Sequence, residues 1–158
     1  MDNAGGGLRG LRPTPSEPLL AAIHTAYGID VGDAVVDMGG SSSLNLRGGS
    51  GDDRWVVRVY RPSMTVERLA AIHAVRRALA VAGLPCGGLV PTHDGHPWLV
   101  FAGQLVEVER FVEHDAVMDT WQRLTIAMPV LGRIHAVLRG LAVSGVGRRP
   151  LFANHIEP

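Results

Sequence analysis

A stretch that could bind phosphate groups lies at residues 38–46, which read MGGSSSLNL. Two glycines and three serines are placed there between hydrophobic residues. Small side chains let backbone N–H groups come close to a phosphate, so this composition is compatible with a nucleotide loop. Short Gly/Ser segments between strands are, however, more often plain turns. The stretch alone therefore leaves both interpretations open.

A second candidate is Arg58, which lies in the middle of the apolar segment WVVRVYR. The period-two alternation of a strand places Val56, Arg58 and Tyr60 on one face. A charge between apolar neighbours is costly unless it has a partner, and an anionic ligand would be such a partner. The alternatives are an arginine that extends to the edge of the sheet, or one that is paired with a carboxylate.

Composition limits the classes of protein to which the chain can belong. Its 158 residues suffice for one ordinary domain, and a hydrophobic content of 46% is typical of a globular chain. The 15 basic and 15 acidic residues balance, so charge gives no reason to expect a nucleic acid or membrane partner. All basic residues are arginines, which excludes every lysine-dependent mechanism. The single cysteine, Cys86, and the lack of a long apolar run predict a cytoplasmic protein without a membrane span.

The order of the expected elements indicates an α+β fold. Ser16 can begin a helix that ends at Gly28, and a hairpin is expected at residues 48–53 between two strands. A long helix is predicted over residues 65–82, followed by two or three short antiparallel strands up to about residue 113. After that the pattern is helical only, with one helix over residues 115–127 and a second beginning at Pro129. Consecutive hairpins around one long helix favour an antiparallel sheet in a small lobe, followed by the start of a helical lobe.

A Gly/Ser turn, a hairpin and then an apolar strand with one cation resemble the N-terminal lobe of a kinase. More specifically, residues 19–138 resemble the aminoglycoside phosphotransferase family, which includes homoserine and choline kinase relatives. The matching stretches, in order, are YGID, MGGSSSLNL, WVVRVYRP, RRALAVAGLPC, LVPTHDGHPWLV, LVEVERFVEH and LGRIHAVL. The resemblance implies a flexible tail at residues 1–16, a kinase-like N-lobe at 17–113 and an incomplete helical C-lobe at 114–158.

The same resemblance implies an ATP site made of a loop, a cation and a hinge between the lobes. Arg58 takes the place of the family's third-strand Lys or Arg that binds the α- and β-phosphates, and Val56 would line the adenine pocket. Backbone groups of the hinge would bind adenine. The implied loop residues are Gly39, Gly40, Ser41, Ser42 and Ser43, and the implied hinge residues are Glu109, Phe111 and Val112.

The sequence departs from the family pattern at two places. The glutamate that many members carry on the long helix would fall on Ile72, or on His73 with a shift of one residue, so the usual ion pair is expected to be absent. The H-G-D-x-x-x-x-N motif of the catalytic loop does not occur after LGRIHAVL, and Glu157 is the only carboxylate side chain after Asp119. We therefore predict no catalytic residue and no metal ligand in this chain. Mg²⁺ is expected only with ligands from a complete C-lobe.

Two main hypotheses about function follow, and one simpler possibility. The chain is part of an ATP-dependent phosphotransferase that acts on a hydroxyl of a small molecule, or it is a non-catalytic module that binds nucleotide or a protein partner. The expected partners are a nucleotide and either a second copy or a separate C-lobe polypeptide. An α+β domain without a nucleotide site is the simpler possibility. Glu107, Glu109 and Glu113 alternate along a strand, and their simplest interpretation is one solvated face.

Overall fold

The computed structural model describes residues 12–29, 35–40, 42–51, 53–114 and 117–141. Most of the predicted tail at residues 1–16, the loop residue Ser41 and the last part of the predicted C-lobe segment lie outside these ranges. The described elements are, in chain order, α1 (Glu17–Tyr27), β1 (Val36–Asp37), β2 (Leu44–Gly48), β3 (Trp55–Val59), α2 (Val66–Val81), β4 (Leu89–Val90), β5 (Leu99–Phe101), β6 (Gln104–Arg110) and α3 (Trp121–Gly140).

The strands form one antiparallel sheet in the order β1-β2-β3-β6-β4, with β5 also paired to β6. The predicted hairpin joins β2 to β3, where Gly48 lies opposite Trp55. A Cβ atom at position 48 would come within 2.3 Å of the indole ring, so this position requires glycine. The α+β class and the antiparallel sheet with one long helix after the third strand are therefore confirmed.

The hydrophobic core lies between one face of the sheet and α1. Alternate residues of β2, β3 and β6 point to this face, and one side of α1 covers them. The Ser16 hydroxyl accepts a hydrogen bond from the Leu19 N–H at the start of α1, and Gly28 ends the helix in the left-handed region. The core consists of Leu19, Ile23, Tyr27, Leu44, Leu46, Trp55, Val57, Val59, Val106 and Val108.

The described residues divide into two compact units. One holds α1 and the whole sheet, and the other holds α2 and α3. Within the second unit the Arg133 guanidinium donates a hydrogen bond to the Ala82 carbonyl, at 2.8 Å, which joins α3 to the end of α2. The buried residues of α2 are Leu69 and His73. None of the helices in the described ranges is long and apolar enough to cross a lipid bilayer.

The prediction of two helices on either side of Pro129 is wrong, because α3 runs without interruption from Trp121 to Gly140. Proline removes the hydrogen bond that would reach the carbonyl four residues earlier, at Thr125. Both residues are exposed, so water can solvate that carbonyl. The helix begins where the Thr120 hydroxyl accepts a hydrogen bond from the Arg123 N–H.

Candidate nucleotide site

The predicted glycine loop connects β1 to β2 and is held by side chains on both sides. Gly39 and Gly40 have φ angles of 81° and 127°, values that favour glycine. The Gly39 N–H donates a hydrogen bond to Asp37 Oδ1 at 2.8 Å, and the Gly39 carbonyl accepts one from Asn45 Nδ2 at 2.9 Å. A Cβ at Gly40 would lie 2.8 Å from Asn45 Nδ2. The loop therefore fits closely against the Asn45 side chain.

Arg12, which precedes α1, binds both ends of the same loop. Its guanidinium forms an ion pair with Asp37, and its Nε donates a hydrogen bond to the Ser43 carbonyl at 3.3 Å. The bond from Arg12, together with the bond from the Gly39 N–H, holds the pKa of the Asp37 carboxyl below its usual range. Ser42 and Ser43 are half-buried at the end of the loop.

Arg58 and Val56 lie on the face of the sheet opposite to the core, as the alternation predicted. Arg58 is paired in register with Asn45 on β2 and with Glu107 on β6. Its Nε donates a hydrogen bond to Asn45 Oδ1 at 3.1 Å, and its Nη2 donates one to Glu109 Oε1 at 3.2 Å. The Arg58 side chain is 34% exposed, so a part of the guanidinium faces solvent.

The prediction of one solvated glutamate face is wrong for the first two of the three residues. Glu107 is fully buried, and the Glu109 side chain is only 12% exposed, whereas Glu113 is 64% exposed beyond the end of the strand. On the interior strand β6, residues of β3 flank both carboxylates, and Leu89 of β4 lies on the other side of Glu109. Their burial is tolerated because Tyr60 donates a hydrogen bond to Glu107 and Arg58 donates one to Glu109.

A second buried pair lies beside Arg58 on the same face. The Tyr60 hydroxyl donates a hydrogen bond to Glu107 Oε1 at 2.7 Å, and Tyr60 is 4% exposed. Burial, followed by the negative charge of Glu107, raises the pKa of the Tyr60 hydroxyl above its usual range. At neutral pH Tyr60 is therefore the proton donor and Glu107 the acceptor.

The predicted hinge residues lie at the end of β6 and just beyond it. Glu109 lies inside β6, paired with Val56 on one side and Leu89 on the other. The Phe111 N–H donates to the Arg54 carbonyl at 3.0 Å. Val112 is 41% exposed, and its carbonyl is 3.2 Å from His114 Nδ1.

Two arginines that the sequence did not point to lie close to the Phe111 ring. The guanidinium carbons of Arg47 and Arg54 lie 5.7 Å and 5.4 Å from the centre of the ring. Arg54 also forms an ion pair with Glu113. Arg47 lies opposite Val56 in register, so its cation belongs to the same face as Arg58.

The structure thus connects three predicted parts of the site through one residue that sequence reasoning missed, Asn45. Asn45 donates a hydrogen bond to the Gly39 carbonyl and accepts one from Arg58. Arg58 in turn donates one to Glu109. Backbone N–H groups, glycines and a cation with spare donors can together bind an anion such as a nucleotide phosphate. Among the residues described, no group of three or more His, Cys, Asp or Glu side chains could hold a metal ion.

Comparisons with known proteins concern the family and the fold of the chain. The family model described as "Phosphotransferase enzyme family" (APH) matches residues 34–155. Among solved structures, the chain is similar to spectinomycin phosphotransferase APH(9)-Ia in complex with ADP and spectinomycin, at 14% identity and a TM-score of 0.58. That match covers 79% of this chain and 39% of the other, so the chain spans well under half of that protein. No curated protein sequence matches significantly.

The predicted resemblance is confirmed by these findings. The family match covers well over half of the chain, and the fold is similar to that of a kinase-like phosphotransferase. The chain belongs to the phosphotransferase enzyme family.

Proposed function

We propose that this chain is the nucleotide-binding part of a small-molecule phosphotransferase that uses ATP. The observation that carries the proposal is Arg58, a cation on an interior strand that hydrogen bonds connect to a glycine loop. The Arg58 guanidinium has five N–H donors, of which Nε donates to Asn45 and Nη2 donates to Glu109. A third of its side-chain surface is exposed, so an anion can approach the guanidinium.

The donor set of this face fits the phosphates of a nucleotide. Arginine presents a planar fork of donors that matches phosphate oxygens, and it needs no tuning of its charge at neutral pH. Gly40 and the residues that follow it would contribute backbone N–H groups, whereas the Gly39 N–H is already bonded to Asp37. Phe111 supplies apolar surface toward the hinge end, where we expect the adenine, whereas Val56 is only 5% exposed. When bound, ATP supplies the γ-phosphoryl group that is transferred to an acceptor hydroxyl.

The transfer step itself needs groups that this sequence lacks. Phosphoryl transfer requires a residue that orients the acceptor hydroxyl and carboxylates that bind Mg²⁺. We propose that a helical lobe supplies both, either in the same polypeptide or in a separate one. The solved structure of similar fold is consistent with this, because only 39% of its chain is matched. A cytoplasmic location stays a prediction that belongs to this proposal.

A second candidate function is a non-catalytic nucleotide-binding module with a protein partner, and the surface of α3 favours it. None of the residues of α3 is buried, and on one of its faces Trp121, Leu124, Met128 and Leu131 are 81%, 36%, 52% and 41% exposed. An exposed apolar patch of this kind is typical of an interaction surface. Size-exclusion chromatography with light scattering distinguishes a self-associating module from a chain that awaits another lobe.

Thermal unfolding in the presence of Mg·ATP or ADP tests the main proposal. A ligand at about 100 times its Kd stabilises the folded state by about 2.7 kcal/mol, so the parent should show a clear rise in Tm. The rise should be lost in Arg58→Ala and kept in Arg77→Ala, which removes an exposed arginine of α2. Nucleotide binding at this site is refuted if the parent does not shift at millimolar nucleotide, or if Arg58→Ala shifts as much as the parent.

A further inference from the structure

We propose that Asn45 and Glu109 are positioning residues for Arg58, in place of the glutamate that related phosphotransferases carry on the long helix. The inference rests on the proposed role of Arg58 in nucleotide binding. It adds that side chains of the two neighbouring strands, β2 and β6, orient the cation. Neither the family match nor the similar structure assigns this role to the two residues.

The first support is the position of Glu109 relative to Arg58. Register pairs Val56 with Glu109, so Glu109 lies diagonally across from Arg58 on the same face of the sheet. The 3.2 Å bond between Arg58 Nη2 and Glu109 Oε1 joins a half-buried cation to a carboxylate that is 12% exposed. A pair so shielded from water is stronger than a surface ion pair, and removal of one partner leaves a charge in poorly solvated surroundings.

The second support is that the Asn45 carboxamide uses both of its ends. Its oxygen accepts from Arg58 Nε at 3.1 Å, while its nitrogen donates to the Gly39 carbonyl at 2.9 Å. An amide can accept from a cation through its oxygen and, at the same time, donate to a carbonyl through its nitrogen. Asn45 therefore fixes the distance between the glycine loop and the guanidinium, which would have to bind the same phosphates.

The third support is the composition of α2. Its only carboxylate is that of Glu67, in the first turn. Its own backbone N–H and then the Thr65 hydroxyl hold the pKa of the Glu67 carboxyl below its usual range, so it already serves the start of the helix. The positions that correspond to the family's helix glutamate are Ile72 and His73. The carboxylate that pairs with Arg58 therefore comes from Glu109 on β6.

A consequence for regulation follows from this arrangement. In kinases the pair between the third-strand cation and the helix glutamate forms only when that helix is in place. In this chain the cation and both partners lie on β2, β3 and β6, which are joined by a continuous ladder of backbone hydrogen bonds. These bonds within one sheet thus orient the guanidinium before nucleotide arrives.

The test compares ADP affinity, measured by isothermal titration calorimetry, in four variants of the 158-residue chain. Glu109→Ala removes both charge and acceptor, whereas Glu109→Gln keeps an acceptor oxygen at the same place. Asn45→Ala removes the bridge to the loop. Glu113→Gln is the matched control, because it neutralises an exposed carboxylate that pairs with Arg54 instead of Arg58.

We expect ADP affinity to fall by about fivefold or more in Glu109→Ala and Asn45→Ala, and to change by less than about twofold in the two Gln variants. If Glu109 merely competed with phosphate for Arg58, Glu109→Ala would bind ADP more tightly than the parent. Equal or tighter binding by both alanine variants overturns the positioning role. It leaves nucleotide binding intact, provided that Arg58→Ala still abolishes it.

A second readout needs no nucleotide and keeps the inference testable if the parent binds none. The Arg58 Nε–H signal, assigned by its absence from the NMR spectrum of Arg58→Lys, reports whether the guanidinium is held. We expect slow exchange with water in the parent and Glu109→Gln, and faster exchange in Glu109→Ala and Asn45→Ala. Exchange that is the same in all four proteins overturns the inference.

Discussion

The two faces of the central sheet differ sharply although their side chains alternate along the same strands. One face is apolar and is covered by α1, with Leu46, Val57 and Val108 fully buried. The other carries Arg58 and its hydrogen-bonded neighbours. The first face is stabilised by the burial of apolar surface, an effect that does not depend on the orientation of particular groups. The second depends on specific partners, because each buried polar group is costly without one.

This difference separates stability from binding along a single strand. Val57 and Arg58 are adjacent in sequence and point to opposite faces. A change at Val57 should therefore act on the free energy of unfolding, and a change at Arg58 on nucleotide affinity. If the two faces are not independent in this way, the account of the site is wrong.

The largest expected effect is that of Val57→Ala. Val57 is fully buried, so removal of two methyl groups and the resulting cavity should lower the free energy of unfolding by about 2–3 kcal/mol. Urea unfolding followed by circular dichroism measures it. The ADP affinity of the folded variant should stay within about twofold of the parent value, since the side chain does not reach the polar face.

Val100→Ala is the control for this experiment, because Val100 lies in the same sheet but is 61% exposed. Its expected cost is below about 0.5 kcal/mol. A comparable loss of stability in both variants would contradict the view that the α1 side of the sheet holds the core.

A smaller effect on stability is expected from ionisation of the two tyrosines. Tyr27 lies on the core side of the sheet and Tyr60 on the polar side. On the core side, the Tyr27 hydroxyl donates to the Val106 carbonyl at 3.0 Å, and burial raises its pKa to about 12. On the polar side, the pKa of Tyr60 is raised by burial and by Glu107. Because both values lie above the unfolded value of about 10, the tyrosines contribute stability that is present below pH 10 and lost as the pH rises toward 12.

An alkaline titration that follows tyrosinate absorbance measures this effect. The folded chain should resist ionisation near pH 10, whereas the urea-unfolded chain should titrate there. In Tyr27→Phe and in Tyr60→Phe the remaining tyrosine should still titrate late. A tyrosine that ionises near pH 10 in the folded protein would show that its face is open to water.

Much of this architecture could be predicted from the sequence, because the signals were local. The alternation in WVVRVYR predicted which face Val56 and Arg58 share, and the turn-rich residues 48–53 predicted the hairpin. That hairpin already implies the pairing of Asn45 with Arg58, since register counts outward from the turn. Asn45 was therefore within reach of sequence reasoning, although its contact with the glycine loop was not.

Other features depend on packing that no local pattern shows. Three alternating glutamates predict a solvated face, and the sequence does not show that β6 lies between two neighbours or that Tyr60 and Arg58 donate to Glu107 and Glu109. The sequence leaves open whether a carboxylate pairs with Arg58, and the structure shows one on β6. Pro129 predicts a break in the helix, because sequence alone does not say that the freed carbonyl of Thr125 is exposed to water.

The central claim is that the polar face of the sheet binds a nucleotide, and NMR titration with ADP tests it most directly. Methyl groups report each face separately, because Val56 lies on the polar face while Ile23 and Val57 lie in the core. We predict that ADP shifts the signals of the Val56 methyls, the Arg58 Nε–H and the Gly40 amide, and leaves those of the Ile23 and Val57 methyls nearly unchanged. No change at saturating ADP, or changes confined to the core side, would contradict the account.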